Sequence, residues 1–325
     1  MSSDFHQLAI ATTVLFVTSC GLDPSAKDRC GTSADCNPGR VCNGGVCDNG
    51  DSGTTGCGSR DFDCDGHNDL LWYQAATGET QVWYMDGVQH LADAALDLTE
   101  ALDPSTGWRL AGVGDFNRDG HPDLVAREGT GGVTAIWYMN GTSRTGVEAL
   151  DPALNLTDDT GWSLAGVCDF NQDGWPDLLW HHAEYGATQL WYMHGAVRGA
   201  YANLDGVSTS VTEASGWQPV GTGDFNHDGK PDILWRGTTN SQAMVWIMDG
   251  FTLRSSYTIS SFLDLPQTMT LSETDDLDLD GSSDLVWWSW TTGTIDIWRM
   301  NGTSRTTQSA IDGAPDTPGW TIVPH

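Results

Sequence analysis

Short apolar runs alternate with acidic, glycine-rich turns along most of this 325-residue chain. Each turn is followed directly by three or four apolar residues, as in Leu70–Trp72, Leu178–Trp180 and Ile233–Trp235. Runs of this length, rich in aliphatic and aromatic residues and bounded by Gly, Asp and Asn, predict short strands rather than helices. The pattern repeats about every 54 residues, since the five turns begin at residues 61, 115, 169, 224 and 276.

Two tryptophan signatures recur at fixed places relative to these turns. A Gly-Trp pair lies seven residues before three of the turns, with its tryptophan at Trp108, Trp162 and Trp217. About ten to fourteen residues after each turn comes a Trp-x-Met-x-Gly sequence, which begins at Trp83, Trp137, Trp191, Trp246 and Trp298. A period near 54 that holds several short strands is typical of one propeller blade. We therefore predict an all-β fold, a β-propeller of five four-stranded blades, over residues 58–325.

The two ends of the repeat array complement each other. The first repeat begins at its acidic turn, and Thr54 stands where the tryptophan of its Gly-Trp pair belongs. The missing piece lies at the other end of the chain, as Gly319-Trp320 followed by Thr-Ile-Val. We therefore predict that the C-terminal strand completes the first blade, closes the ring and protects the sheet edges. The fifth repeat has Met269 in place of a tryptophan and Leu277 in place of a phenylalanine, which predicts a looser blade.

Each acidic turn has the sequence Asp-x-Asp/Asn-x-Asp-Gly-x-x-Asp. Positions 1, 3, 5 and 9 carry side-chain oxygens, and glycine at position 6 permits the left-handed backbone of a tight loop. Position 7 would contribute only its backbone carbonyl group. The candidate metal ligands are, loop by loop, Asp61, Asp63, Asp65 and Asp69; Asp115, Asn117, Asp119 and Asp123; Asp169, Asn171, Asp173 and Asp177; Asp224, Asn226, Asp228 and Asp232; Asp276, Asp278, Asp280 and Asp284.

Calcium is the ion that suits these loops. It takes about six to eight oxygen ligands in a flexible shell, whereas magnesium prefers a rigid octahedron and retains its waters. The acidic groups of one short loop would repel one another without a cation. An EF-hand requires glutamate at position 12 and an exit helix, but these loops have Trp72, Ala126, Trp180, Trp235 and Trp287 there. We predict about one Ca²⁺ ion per blade.

The repeated Asp-Phe-Asn-x-Asp-Gly-x-Pro-Asp-Leu-Leu-Trp runs resemble the FG-GAP or VCBS repeat family, whose calcium-loop blades occur in integrin alpha propellers and in many secreted bacterial proteins. The resemblance covers roughly residues 58–325 and implies a β-propeller with calcium in hairpin loops. The chain departs from the integrin form, because no Phe-Gly opens the repeat and no Gly-Ala-Pro ends it. The five repeats also fall short of the usual number of integrin blades.

Residues 1–20 predict a bacterial export signal. Residues 8–17 form an apolar core too short to span a bilayer, and Val17-Thr-Ser-Cys20 resembles a lipobox in which Cys20 is acylated. A plain signal peptide is the alternative, since neither Lys nor Arg precedes the apolar core. The protein is thus predicted to be secreted, or to be an outer-membrane lipoprotein whose only membrane contact is an N-terminal lipid anchor.

Residues 21–57 form a different kind of segment, rich in Gly, Asp, Ser and Cys. In an exported chain, closely spaced cysteines predict a small disulfide-stapled tether, although the sequence does not choose among the pairings. Zinc is less suited, because the segment has neither a Cys-x-x-Cys pair nor a histidine. Cys168, which lies apart from the others, is predicted to be a buried thiol. The disulfide candidates are Cys30, Cys36, Cys42, Cys47, Cys57 and Cys64.

The charge and the absent motifs narrow the function. With 44 acidic and 14 basic residues, the formal net charge is −30, which disfavours nucleic acid and anionic membranes as partners. The chain has no nucleophile elbow, zinc-protease motif, phosphate loop or dinucleotide fingerprint. His181, His182 and Glu184 lie close together, and we expect them in an exposed turn between strands. We therefore predict that the protein is not an enzyme.

These observations predict a non-catalytic extracellular propeller that binds calcium and serves adhesion or ligand recognition, with an extracellular protein or glycan as partner. The alternative is a lectin with sugar sites between blades. The tryptophans of the Trp-x-Met signatures would then stack on sugar faces in repeated pockets. We instead expect these tryptophans to be core residues, which makes the neighbouring Tyr84, Tyr138 and Tyr192 the better surface candidates. A secreted hydrolase or lyase on a propeller scaffold is a third interpretation.

Overall fold

The computed structural model describes residues 41–43, 46–48, 60–63, 65, 67–98, 101–129, 133–151, 161–204, 216–237, 242–259, 269–289, 292–311 and 319–323. Within these ranges the chain is built of strands and one 3₁₀ turn, Pro104–Thr106, and contains no helix suited by length and apolarity to crossing a bilayer. The predicted signal segment with Cys20, and Cys30, Cys36, Cys57 and Cys64, lie outside the described residues. In the cysteine-rich segment, β1 (Val41–Asn43) and β2 (Val46–Asp48) form an antiparallel hairpin that places Cys42 opposite Cys47.

Five four-stranded antiparallel sheets follow in chain order. The first contains β3 (Leu70–Gln74), β4 (Glu79–Asp86) and β5 (Gln89–Ala94). The second contains β6 (Trp108–Gly114), β7 (Asp123–Glu128), β8 (Thr134–Asn140) and β9 (Ser143–Ala149). The third contains β10 (Trp162–Cys168), β11 (Asp177–His182), β12 (Ala187–His194) and β13 (Val197–Asn203). The fourth contains β14 (Trp217–Gly223), β15 (Asp232–Gly237), β16 (Ala243–Asp249) and β17 (Thr252–Ile259). The fifth contains β18 (Met269–Asp275), β19 (Asp284–Ser289), β20 (Thr294–Asn301) and β21 (Ser304–Ile311).

The C-terminal strand β22 (Trp320–Ile322) supplies the innermost strand of the first sheet. It pairs antiparallel with β3, so that Ile322 lies opposite Trp72, and the Val323 N–H donates to the Leu71 carbonyl oxygen at 2.8 Å. The innermost strands of successive sheets lie beside one another, from β6 through β10, β14 and β18 to β22. The protein is therefore a five-bladed β-propeller closed by its C-terminal strand, which confirms the predicted fold.

The core lies between neighbouring blades, as five apolar clusters that each join one blade to the next. Alternate residues of a strand point to the same side of the sheet, so tryptophans of the second and third strands meet in these clusters. The five tryptophans of the Trp-x-Met signatures are buried, which confirms them as core residues. The fifth blade has the same four strands as the others, with Met269 and Leu277 both buried.

Two predictions about single residues are wrong. His181 and His182 are 4% exposed, because β11 continues two residues beyond Trp180 and pairs both histidines with β10. The exposed turn begins only after them, and it contains Glu184. Cys168 is not a free thiol but is disulfide-bonded.

Glycine in the innermost strands allows neighbouring blades to approach closely around the axis. A Cβ atom on Gly166 would lie 2.4 Å from Cγ2 of Thr222, and one on Gly221 would lie 2.6 Å from Cγ2 of Thr274. Both threonines are buried. The Thr274 hydroxyl donates to the Thr222 carbonyl oxygen at 2.6 Å, which restrains the Thr274 side chain. The Thr222 hydroxyl oxygen lies 3.1 Å from Sγ of Cys168.

We expect Gly166→Ala to lower the free energy of unfolding by about 1–3 kcal/mol, because the new methyl group overlaps a stiff β-branched side chain. Gly199→Ala is the matched control in the outermost strand β13, where the nearest atom to the new Cβ is a Tyr192 carbonyl oxygen at 3.4 Å. Urea unfolding of both variants measures the difference. Equal stability of the two variants would contradict close packing around the axis.

Candidate metal centres

Four of the acidic turns connect the innermost strand of a blade to its second strand, and the first turn leads into β3, the second strand of the first blade. The turn that begins at Asp115 follows β6, and its last residue, Asp123, is the first residue of β7. Because the blades repeat the same topology around one axis, all five turns lie on the same face of the propeller. We call them loops 1 to 5, numbered from their first residues, Asp61, Asp115, Asp169, Asp224 and Asp276.

Two positions in each of loops 2 to 5 have a left-handed backbone. Position 6 was predicted to do so, and its φ lies between 78° and 90° at Gly120, Gly174, Gly229 and Gly281. Position 4 was not predicted, because its residues share no preference for this conformation. Its φ lies between 57° and 61° at Arg118, Gln172, His227 and Leu279.

The first aspartate of each loop accepts hydrogen bonds from the loop's own backbone. Asp115 accepts from the N–H of Asp119 at 3.1 Å and from the N–H of Gly120 at 2.9 Å. Position 5 in turn accepts from the N–H of position 7, as Asp119 does from His121 at 2.9 Å. The first bonding pattern recurs at Asp169, Asp224 and Asp276. These bonds hold the carboxylates within the loop, where a cation would contact them.

The ninth residue connects the loop to the third strand of its blade. Asp123 is buried, and it accepts at Oδ2 from the Phe116 N–H at 3.0 Å and at Oδ1 from the Met139 N–H at 2.8 Å. The same pair of bonds recurs at Asp69, Asp177 and Asp232. Since Met139 belongs to a Trp-x-Met signature, two of the repeated sequences meet at this carboxylate. Each of its oxygens retains a second lone pair for a metal ion.

Loop 5 differs from this pattern and provides a test of whether a cation fits. Asp284 is buried and accepts at Oδ1 from the Met300 N–H at 2.8 Å, but its Oδ2 has no hydrogen-bond partner among the described residues. Carboxylate oxygens of Asp276, Asp278 and Asp284 lie within 4.8 Å of one another. In loop 1, Asp61, Asp63 and Asp65 converge equally closely. Hard oxygen donors clustered in this way fit Ca²⁺.

Burial makes ionisation of these carboxyl groups unfavourable and therefore raises their pKa. This holds for Asp63, Asp115, Asp169 and Asp276, whose pKa values are raised further by neighbouring carboxylates of the same loop. A divalent cation would stabilise the ionised form of each group. Burial is the largest cause at position 9, where it raises the pKa to about 8 at Asp69, Asp123, Asp177, Asp232 and Asp284.

Position 4 links each of loops 2, 3 and 4 to the next loop around the ring. Gln172 donates to the Gly229 carbonyl oxygen at 2.8 Å, and His227 Nε2 lies 2.5 Å from Ser282 Oγ. The Arg118 guanidinium lies 5.3 Å from the centre of the Trp175 ring in loop 3. This role could not be predicted from the sequence, because the three side chains have in common only that they are long and polar.

The tyrosines considered for sugar stacking are half-buried between blades. Tyr192 stacks on Phe251 of the next blade, with ring centres 3.9 Å apart. The Tyr138 hydroxyl donates to Glu148 at 2.7 Å, and Tyr84 packs against the cluster between the first two blades. These rings belong to blade interfaces, so they do not form an open, repeated stacking surface.

Three known proteins match part of this chain. Human integrin alpha-7 is 27% identical over 169 residues, which are 48% of this chain and 14% of that protein. Chicken integrin alpha-6 is 33% identical over 148 residues, 41% of this chain and 13% of that protein. Mouse phosphatidylinositol-glycan-specific phospholipase D is 29% identical over 152 residues, 39% of this chain and 18% of that protein. The match thus spans less than a fifth of each relative.

A sequence model of the FG-GAP-like repeat matches residues 61–126, 115–180 and 169–235, which together span more than half of the 325 residues. The three matches overlap, because each begins at one acidic loop and ends beyond the next. Their starting points are the first residues of loops 1, 2 and 3. The chain belongs to the FG-GAP repeat family.

Proposed function

We propose that this chain is a calcium-stabilised propeller that recognises a ligand outside the cell and catalyses no reaction. The observation that best supports calcium binding is the buried carboxylate at position 9 of every loop. Its pKa is raised to about 8 by burial, as at Asp123, and in loop 5 its Oδ2 has no hydrogen-bond partner among the described residues. A cation shared with the other loop carboxylates would compensate this buried charge.

Recognition rather than catalysis follows from how the conspicuous side chains are used. The repeated Asp, Trp and Tyr residues hold loops and blade interfaces, so the repeat leaves a rigid ring whose exposed faces are available to a partner. The family resemblance, with integrin alpha chains among the matched relatives, supports adhesion or ligand binding. A protein or glycan at the outside of a cell is the partner class, and secretion or envelope attachment is the corresponding location.

We expect chelation of divalent cations to lower the melting temperature and added Ca²⁺ to restore it. One site at about 100 times its Kd stabilises the folded state by about 2.7 kcal/mol, so several sites give a large shift. Differential scanning calorimetry of the metal-depleted chain, with and without Ca²⁺, measures this shift. Mg²⁺ at the same concentration is the control and should restore less, because it keeps its waters. A melting temperature that changes with neither ion would refute the stabilising role of calcium.

A glycan array probed with the calcium-loaded chain separates the two ligand classes. Binding to a sugar that disappears in chelator would identify a lectin. Absence of binding to every sugar would favour a protein partner, because the tyrosines between blades are already packed against protein.

A further inference from the structure

The ring closes where the strands β3–β5 of the first blade meet β22 and the fifth blade. This seam depends on contacts between the two ends of the propeller sequence, and β22 contributes a strand of only three residues. We propose that loop 5 binds Ca²⁺ more tightly than loops 2, 3 and 4, and that its ion keeps the seam closed. This inference rests on the calcium binding proposed above and assigns a separate role to one loop.

Each loop inserts its second residue into the next blade. Phe116 of loop 2 lies in the same apolar cluster as Trp191 and Met193 of the third blade. At the seam, Leu277 of loop 5 lies with Trp83 and Met85 of the first blade. The other loops use phenylalanine for this contact, at Phe62, Phe170 and Phe225. A loop held in place therefore holds two blades together, and the seam has a smaller side chain than the other junctions.

Loop 5 lacks the internal bond that fixes the other loops. In loops 1 to 4, the N–H of the second residue donates to the ninth, as Phe225 does to Asp232 at 3.0 Å. The Leu277 N–H donates instead to the Asp275 carbonyl oxygen at 3.1 Å. Asp284 Oδ2 is thereby left buried without a partner among the described residues. An unsatisfied buried acceptor destabilises the folded protein, and a bound cation would remove that cost.

The third position adds a second unpartnered oxygen in loop 5. Loops 2 to 4 have asparagine there, and its amide donates to the carboxylate at position 5, as Asn226 does to Asp228 at 3.0 Å. Loop 5 has Asp278 instead, which Arg299 approaches at Oδ2 to 3.4 Å. Its Oδ1 is buried and has no partner among the described residues. Because two carboxylate oxygens in one cluster have no partner, loop 5 should bind a cation more tightly than loops 2, 3 and 4.

Loop 1, on the other side of the seam, is joined to the fifth blade directly. Asn68 in loop 1 donates to Asp275, the residue before loop 5, at 2.8 Å. An ion that fixes loop 5 therefore steadies both the Leu277 contact and this hydrogen bond. As calcium falls, loop 5 should release its ion after loops 2, 3 and 4 have released theirs. The seam should therefore stay closed at the lowest calcium concentrations and open only when loop 5 loses the cation that replaces its missing backbone bond.

Hydrogen–deuterium exchange of the metal-depleted full chain, measured at rising free Ca²⁺, tests this proposal. Peptides that contain β22 and β3 should gain protection at about tenfold lower Ca²⁺ than peptides that contain loops 2 to 4. Asp278→Asn gives loop 5 the ligand types of those loops, and it should raise the midpoint for the seam peptides about tenfold. Asp173→Asn is the matched control and should move only the midpoint for loop 3.

The outcomes separate this inference from the proposed function. The special role of loop 5 would be overturned, with calcium binding intact, by either of two results. The seam peptides could gain protection at the same Ca²⁺ concentration as loops 2 to 4, or their midpoint could stay unchanged in Asp278→Asn. Exchange that is independent of Ca²⁺ in every peptide would overturn both.

Discussion

Glycine in place of Glu273 is expected to lower the free energy of unfolding by about 3–5 kcal/mol, the cost of removing one partner of a buried ion pair. Gly112, Gly166 and Gly221 occupy the same register position in blades 2, 3 and 4. The repeat consensus would therefore predict that Glu273→Gly leaves stability unchanged or increases it. The expected loss comes from a partner that the other three blades do not have.

That partner is Arg60, the residue before loop 1. Arg60 and Glu273 are both buried and form an ion pair, and Arg60 also donates from Nη2 to the Val323 carbonyl oxygen at 2.6 Å. The network thus joins the start of the propeller, its last described residue and the fifth blade. Burial lowers the pKa of Arg60 to about 10, so the guanidinium remains charged at neutral pH. Without Glu273, this charge stays buried with less compensation.

Chemical denaturation of the wild-type chain and of Glu273→Gly measures the loss. Glu273→Gln separates the charge from the shape of the side chain and should recover part of the stability through hydrogen bonding. Lys230→Ala is the control, because its ion pair with Asp249 is about one-third exposed and solvent screens such pairs, so its loss should change stability little. A loss for Glu273→Gly no larger than that for Lys230→Ala would mean that the ion pair does not hold the ring.

The blades and their closure could be predicted because the same sequence motifs recur in every blade. Apolar runs at a constant period fix the strands, and Trp320 is recognisable as the missing piece of the first repeat. The Arg60–Glu273 pair could not be predicted, because each of the two residues stands at a repeat position where the other blades have a different residue. Pairing of two single residues at opposite ends of the propeller depends on ring geometry, which local sequence does not contain.

The candidate ligands could likewise be predicted from side-chain spacing, whereas their backbone partners could not. The bonds from Phe116 and Met139 to Asp123 use N–H groups that every residue possesses, so the sequence gives no sign of them. One missed feature did have a sequence signal. A cation or imidazole seven residues after the Trp-x-Met tryptophan covers its ring, with centroid distances from 4.1 to 4.7 Å, at His90, Arg144, Arg198 and Arg305.

Without divalent cations, the protein is expected to lose stability as the pH rises from about 4 to about 8. The ordinary aspartate pKa is 3.8, and burial raises it to about 8 at position 9 of all five loops. Over this range the folded carboxyl groups keep protons that the unfolded chain has released. Stability rises with pH only where the unfolded state binds more protons. Here the folded state binds more protons. The stability that these protonated carboxyl groups contribute is therefore complete below about pH 4 and is lost as the pH rises towards 8.

Calcium is expected to reverse this trend, because it binds the ionised carboxylates and displaces their protons. The melting temperature with Ca²⁺ should stay level or rise over the same pH range, so the gap from the metal-depleted protein widens as the pH increases. Differential scanning fluorimetry in both conditions measures the two curves. Added NaCl at matched ionic strength is the control, since salt alone screens the repulsion between carboxylates. Parallel curves with and without Ca²⁺ would show that the carboxyl groups at position 9 do not bind the ion.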